Sequence, residues 1–177
     1  MRTRYRITDK SSPHFITCTI IEWLPVFTRK PYFGIIIDSL NYARQNKALK
    51  LYAYVILDNH LHLAASGDRL DLVLKEFKSH TAREIIKLAT AENRTWLLNQ
   101  FEYFKLKHKQ TSRYQVWQEG FHPQLISSED MLRQKIDYIH YNPVRIGLVE
   151  RAEDWLYSSA RNYLDKTGVL EVDALDI

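Results

Sequence analysis

The chain has 177 residues, of which 45% are hydrophobic and 26% charged, a balance that excludes global disorder and supplies enough apolar mass for one domain with its own core. Lys and Arg number 25 against 21 Asp and Glu, and the resulting formal net charge of +4 favours polyanionic partners only weakly. One cysteine, Cys18, excludes an internal disulfide and a multi-cysteine zinc site; no apolar run approaches the roughly 20 residues of a membrane helix, so a cytoplasmic location is expected.

The first residues are basic, with Arg2, Arg4 and Arg6, and lead into no apolar stretch. Phe15 to Ile21 is β-branched and aromatic and predicts a strand. A proline-containing loop follows, and from Tyr32 to Lys47 the residues Phe33, Ile36, Ile37, Leu40 and Ala43 recur at helical spacing. Leu51 to Leu57 predicts a second strand and His60 to Ser66 a third, joined as a hairpin by the turn residues Asp58 and Asn59. A helix is expected from Leu70 to Leu88 and another from Thr95 to Lys107, then a basic loop to Arg113. Tyr114 to Ile126 reads as one or two short strands broken at Gly120 and Pro123. Ser127 and Ser128 are N-caps for a helix from Glu129 to about Asn142, which Pro143 should end or kink, and Trp155 to Leu164 predicts a last helix. This order is the split βαβ pattern: an α+β, ferredoxin-like or RRM-like fold, its antiparallel sheet having helices packed on one face and the other face open to a ligand. Residues 1–165 are expected to form one domain and 166–177 a C-terminal tail.

The chemistry concentrates in His60-Leu61-His62. Residues two apart on a strand share a face, which puts the imidazoles side by side, about 6–7 Å apart at Cα, while Leu61 and Leu63 point into the core. Two neutral imidazoles so placed can grip one divalent ion, although a bare His-x-His also occurs on ordinary surface strands. A second element adds weight. On the helix beginning at Glu129, Leu132, Ile136 and Ile139 form the buried stripe, and Tyr138 and Asn142 project from its flank only about 40° apart. If this helix lies beside the hairpin, Asn142 can supply an oxygen as third metal ligand and Tyr138 can reach a group bound to the metal. Tyr141 should point to solvent, His140 should pack near the stripe, and Cys18 should be core.

These segments resemble a known family. NHLHLAAS (Asn59 to Ser66) is similar to the His-hydrophobic-His segment of the HUH single-strand DNA nucleases. VWQEGFHPQLI, DYIHYNPVRIGLV (Asp137 to Val149) and DWLYSSARNY (Asp154 to Tyr163) resemble the REP-associated tyrosine transposases, relatives of the small insertion-sequence single-tyrosine transposases, and the likeness runs from Phe15 to about Tyr163. The resemblance implies a metal-dependent single-stranded DNA endonuclease and strand transferase, with Tyr138 as nucleophile, a covalent phosphotyrosine intermediate and a free 3′-OH. It assigns His60, His62 and Asn142 to a Mg²⁺ or Mn²⁺ ion. Gln134, Glu119 and His122 are alternatives for the third ligand, and the imidazoles by themselves suit zinc and later transition metals better than magnesium. The implied partner is a single-stranded hairpin like a repetitive extragenic palindrome, bound by a monomer, with a helix-swapped dimer as the alternative. A protein that binds such hairpins without cutting them is the competing function.

Basic residues interleaved with aromatics suit a groove that tracks a nucleic-acid backbone. The candidates for DNA contact are Arg2, Arg4 and Arg6 at the N-terminus, Lys75 and Lys78 on a helix, Lys109 and Arg113 in the basic loop, and Trp117, which with Tyr114 is a candidate for base stacking.

Overall fold

The computed structural model describes residues 12–174, so Arg2, Arg4 and Arg6 lie outside the described residues. Strands β1 (His14–Thr19), β2 (Lys50–Ile56), β3 (His60–Ser66) and β4 (Gln124–Leu125) form one antiparallel sheet in the order β2-β3-β1-β4. The helices are α1 (Lys30–Asn46), α2 (Leu70–Ala91), α3 (Thr95–Tyr103) and α4 (Glu129–Arg145). The chain thus has the α+β split βαβ arrangement expected of it. No helix among the described residues is long and apolar enough to cross a membrane.

Side-chain alternation along the strands makes two cores. Ile16, Cys18 and Ile20, Tyr54 and Ile56, and Leu61, Leu63 and Ala65 point to one face, where α1, α2 and α3 cover them. Phe15, Tyr52, Ala53, Val55, Leu57 and Ala64 make a smaller apolar patch on the opposite face. That second face is not wholly open: α4 lies across β2 and β3 and buries Leu132, Ile136 and Ile139 against it. Helices on one face therefore describes α1 to α3, and α4 stands alone on the other side.

The termini of α4 follow local chemistry. Ser128 accepts a hydrogen bond from the Met131 backbone N–H, and Glu129 and Asp130 sit favourably in the first turn. Pro143 does not end the helix. It removes only the bond to the Ile139 carbonyl, and the true stop is a Schellman motif: Gly147, at φ 77°, donates to the Val144 carbonyl and Leu148 to that of Pro143.

Three other segments depart from the expected elements. The helix after Thr95 stops at Tyr103 rather than Lys107, and beyond it Lys105 Nζ donates to the Lys109 carbonyl and Leu106 N–H to the Gln115 side chain in a non-helical turn. Tyr114 to Ile126 contributes only the two-residue β4 and one bridge, between Ile20 and Trp117. The expected helix from Trp155 to Leu164 is replaced by 3₁₀ turns at Ala152–Asp154 and Ser159–Leu164. The residues between them run along the edge of β2, where Tyr157 accepts from the Ile56 N–H and the Ser159 hydroxyl accepts from the Tyr54 N–H. Pairing with an otherwise open strand edge outweighs helical periodicity here. Asp173 completes that edge by bonding both polar groups of Leu51, so part of the C-terminal tail is docked.

Truncating Ile139 to alanine removes a fully buried side chain that fastens α4 to the sheet. The variant should lose about 2–5 kcal/mol in urea unfolding; a wild-type midpoint would mean that α4 is held by other contacts.

Candidate active site

β3 presents His60 and His62 on the face that α4 crosses, their ring centroids 4.8 Å apart. Each ring is oriented by a bond at Nδ1. The Asn59 side-chain oxygen lies 2.6 Å from His60 Nδ1 and can only accept, so that nitrogen carries the proton and Nε2 keeps its lone pair. The Thr17 hydroxyl, across the sheet in register with His62, lies 2.9 Å from His62 Nδ1. Aromatic walls complete the surround: Phe15 stacks on His62 with centroids 5.1 Å apart, and Trp23 meets His60 edge-on at 5.3 Å.

Tyr138 enters from α4. Its ring lies 5.4 Å from that of His62 and 5.8 Å from that of Phe15. It is 38% exposed, whereas Tyr141 is 60% exposed and belongs to the solvent side of the helix. Asn142, one turn beyond Tyr138, is only 3% exposed, and its side-chain nitrogen has no hydrogen-bond partner among the described residues. An orphaned buried amide is costly unless something satisfies it. Arg145 closes this side, donating from Nη2 to Tyr138 Oη at 3.3 Å, while Lys135 Nζ lies 4.7 Å from the Phe15 ring centre.

Burial holds both imidazoles neutral. It pushes His62 down to about 3, with His60, Arg145 and Lys135 adding to the effect, and it lowers His60 against the opposing pull of Asp58. Two neutral, pre-oriented imidazoles are lone-pair donors suited to a divalent ion, whereas the unpartnered Asn142 atom is its N–H donor nitrogen, which calls for an acceptor and is not itself a ligand. Among the described residues there is no group of three or more His, Cys, Asp or Glu side chains that could hold a metal. Gln134 is exposed on α4, while Glu119 and His122 line a separate cleft beside α2, Glu119 binding His108 and Lys109 there.

The chain is similar to known proteins in sequence and in fold. A Haemophilus influenzae protein whose name assigns it as a REP-associated tyrosine transposase is 34% identical over 111 residues, a match spanning 60% of this chain and 56% of that one. A solved structure of a REP-associated tyrosine transposase bound to a REP hairpin superposes over 100% of this chain and 95% of that chain with a TM-score of 0.67. The chain is similar to REP-associated tyrosine transposases in part of its sequence and in its fold. At 19% identity the structural match establishes the shared fold, and no family model matches the chain.

The other candidate residues lie away from the imidazoles. Lys75, Lys78, Arg83, His108, Lys109 and Tyr114 line a cleft of about 1230 Å³ between α2 and the segment that follows α3. Two expected DNA contacts are corrected. Trp117 is 5% exposed, packs on Phe27 and Phe77 and donates to the Thr81 hydroxyl, which makes it core and leaves no face for a base. Lys78 spends its ammonium on the Gln118 and Gly120 carbonyls and is a strut for that segment. Arg113 is paired with Glu102 and lies over Tyr114, and Lys109 faces Glu119. Cys18 is buried, and burial raises its thiol to about 11, consistent with core.

Sequence reasoning missed Thr17, Asn59, Phe15, Lys135 and Arg145. Asn59 and Arg145 had a signal: the first is adjacent to His60, and the second is seven residues from Tyr138, two helical turns along one face. Thr17 and Phe15 had none, because cross-strand register is not written in one sequence.

The buried histidines predict an acid-sensitive fold. His140, bonded to the Ser159 hydroxyl, is held at about 4 by burial, below its ordinary 6.5. With folded values of about 3 and 4, His62 and His140 leave stability intact above pH 6.5, and it drains as pH falls toward those values, because only the unfolded chain then binds the protons. Urea unfolding at pH 5 should show a loss of roughly 1–2 kcal/mol per group relative to pH 7. His140→Gln should flatten part of that slope, and an unchanged slope would contradict the assignment.

Proposed function

We propose that this chain is a metal-dependent, single-tyrosine endonuclease and strand transferase that acts on single-stranded DNA hairpins in the cytoplasm. The observation that carries the proposal is the convergence of the Tyr138 phenol with two pre-oriented neutral imidazoles, 5.4 Å from the nearer ring, inside one chain. Displacement at a phosphodiester needs an in-line oxygen nucleophile and neutralised phosphoryl oxygens. Tyr138 supplies the nucleophile. Its oxygen forms a bond to phosphorus, the bond from phosphorus to the 3′ oxygen breaks, the phenol proton passes to solvent and the departing oxygen takes one up as 3′-OH. The aryl phosphodiester keeps the ester linkage, so the reverse displacement by another 3′-OH joins strands without a nucleotide cofactor. His60, His62 and Asn142 would hold Mg²⁺ or Mn²⁺, which when bound supplies Lewis-acid neutralisation of the phosphoryl oxygens.

Docking of α4 on its own sheet supports a monomeric enzyme, since the site needs no second chain. The α2 cleft supports a backbone track: Lys75 and Arg83 offer cations there, beside Tyr114 and Phe121 as apolar surfaces. The hairpin as partner is inferred from the relative solved with a REP hairpin.

The decisive assay uses a labelled single-stranded hairpin, selected from a randomised pool by the chain itself, with Mn²⁺ and a denaturing gel. Wild-type protein should give a covalent protein–DNA band. Tyr138→Phe should abolish that band with hairpin affinity kept, and Tyr141→Phe should retain it. The reverse pattern would move the nucleophile to Tyr141, and a persistent lack of any band across metals would favour the non-cleaving hairpin binder. Replacing Lys75 and Arg83 with alanine should weaken binding most at low salt, and the slope of log K against log salt should become shallower by about 0.7 for every phosphate no longer neutralised. A slope identical to wild type would remove the cleft from the DNA path.

A further inference from the structure

We propose that Arg145 holds the Tyr138 hydroxyl in place for attack and receives the phosphate group that Tyr138 attacks; this rests on the reading of Tyr138 as nucleophile. Arg145 Nη2 donates to Tyr138 Oη at 3.3 Å, and the guanidinium carbon lies 5.0 Å from the centre of the phenol ring. Helix geometry explains the contact. Seven residues are two turns, leaving the side chains about 20° from eclipsed, so the arginine folds back over the tyrosine. Continuation of α4 through Pro143 to Arg145 is what keeps this geometry.

Five other arginines, Arg29, Arg44, Arg113, Arg133 and Arg151, spend their charge on carboxylates. Among the described residues no carboxylate pairs with Arg145, and its side chain is exposed beside the His60–His62 pair. A guanidinium has five N–H donors in a fixed fork, matched to two oxygens of a phosphate. One N–H fixes the phenol oxygen, and the remainder of the fork meets the anion that the oxygen must approach. Lys135, on the same helix and over Phe15, extends the positive rim but has no contact with the phenol. During the displacement Arg145 stays protonated. One oxygen–phosphorus bond replaces another, and the guanidinium keeps its hydrogen bond to Oη as that atom becomes an ester oxygen.

A purely structural role would be packing of the guanidinium on the ring at the end of α4, where a cation also suits the helix dipole. Three measurements on the full chain separate the two. With the selected hairpin at saturation, Arg145→Ala should slow formation of the covalent band by about 10²-fold, the scale of one missing transition-state donor, while hairpin affinity by fluorescence anisotropy changes less than about threefold. Arg145→Lys keeps charge without the fork and should recover only part of the rate. In protein carrying ring-¹³C tyrosine, without DNA or metal, the Tyr138 signal should shift and broaden in Arg145→Ala. A wild-type rate in Arg145→Ala, or a loss confined to affinity with the Tyr138 signal unmoved, overturns this inference alone. No covalent band from wild-type protein overturns the nucleophile reading and this inference with it.

Discussion

One packing contact organises the site: the aliphatic edge of α4 against the sheet face that carries the imidazoles. Leu132, Ile136 and Ile139 are buried there against Tyr52, Ala53, Val55 and Ala64. Burial of three such side chains is worth about 1.5–3 kcal/mol each, which is large for one helix lying alone on its side of the sheet. The alanines matter as much as the aliphatics. Ala53 and Ala64 on neighbouring strands leave a shallow seat for the helix, whereas β3 carries imidazoles only two and four residues earlier on the same face. Small residues at one end of the strand and ligating residues at the other let a single element seat a helix and still present a reactive edge.

Electrostatics follow from that seat. The helix and Phe15 strip water from His62, and Arg145 and Lys135 add positive potential there, so protonating His62 is doubly disfavoured, whereas at His60 burial acts against the pull of Asp58. The two effects differ in their consequences. Desolvation alone would favour any neutral filling, but a positive rim around neutral donors specifically favours an anion nearby. In the proposed reading that anion is the phosphodiester, and a cation held by the imidazoles would be bound best in its company.

The elements with strong periodic patterns were legible in the sequence, because their periods survive in any tertiary context. The hairpin, α1, α2 and the N-terminal cap of α4 fall where Ile36, Leu40, the His60–Ser66 alternation and Ser128 indicate. The segments without a clear period were settled by neighbours instead. Trp155 to Leu164 has the composition of a helix, but β2 is an edge strand and its unpaired N–H groups capture the chain. Trp117 departs from expectation for a similar reason: the basic loop beside it suggests exposure, and only the closure of that segment over Thr81 and Phe77 makes it core. At the site, the imidazole pair and the Tyr138–Asn142 spacing could be read from period alone. The hydroxyl of Thr17 could not, since it reaches His62 only through the pairing of β1 with β3.

The covered edges of the sheet limit how a nucleic acid can engage this protein. One edge, β2, is closed by Tyr157, Ser159 and Asp173. On the other side, backbone bonds join Ile21 to Val116, Thr19 to Gln118 and Thr17 to Phe121, and β4 follows. Among the described residues neither side offers a long open strand, so recognition falls to side chains on the two faces. Those faces are opposed: the phenol and imidazoles lie on the α4 side and the basic cleft on the α2 side. In the proposed reading a strand that touches both faces has to bend around an edge of the sheet, and on the β1–β4 side Phe121 and His122 stand at the cleft wall. Rigid duplex resists so tight a path, with a persistence length of about 150 bp, whereas unpaired nucleotides follow it readily. Under the proposed function, in which one nucleic acid reaches both faces, this geometry favours a single-stranded segment between them.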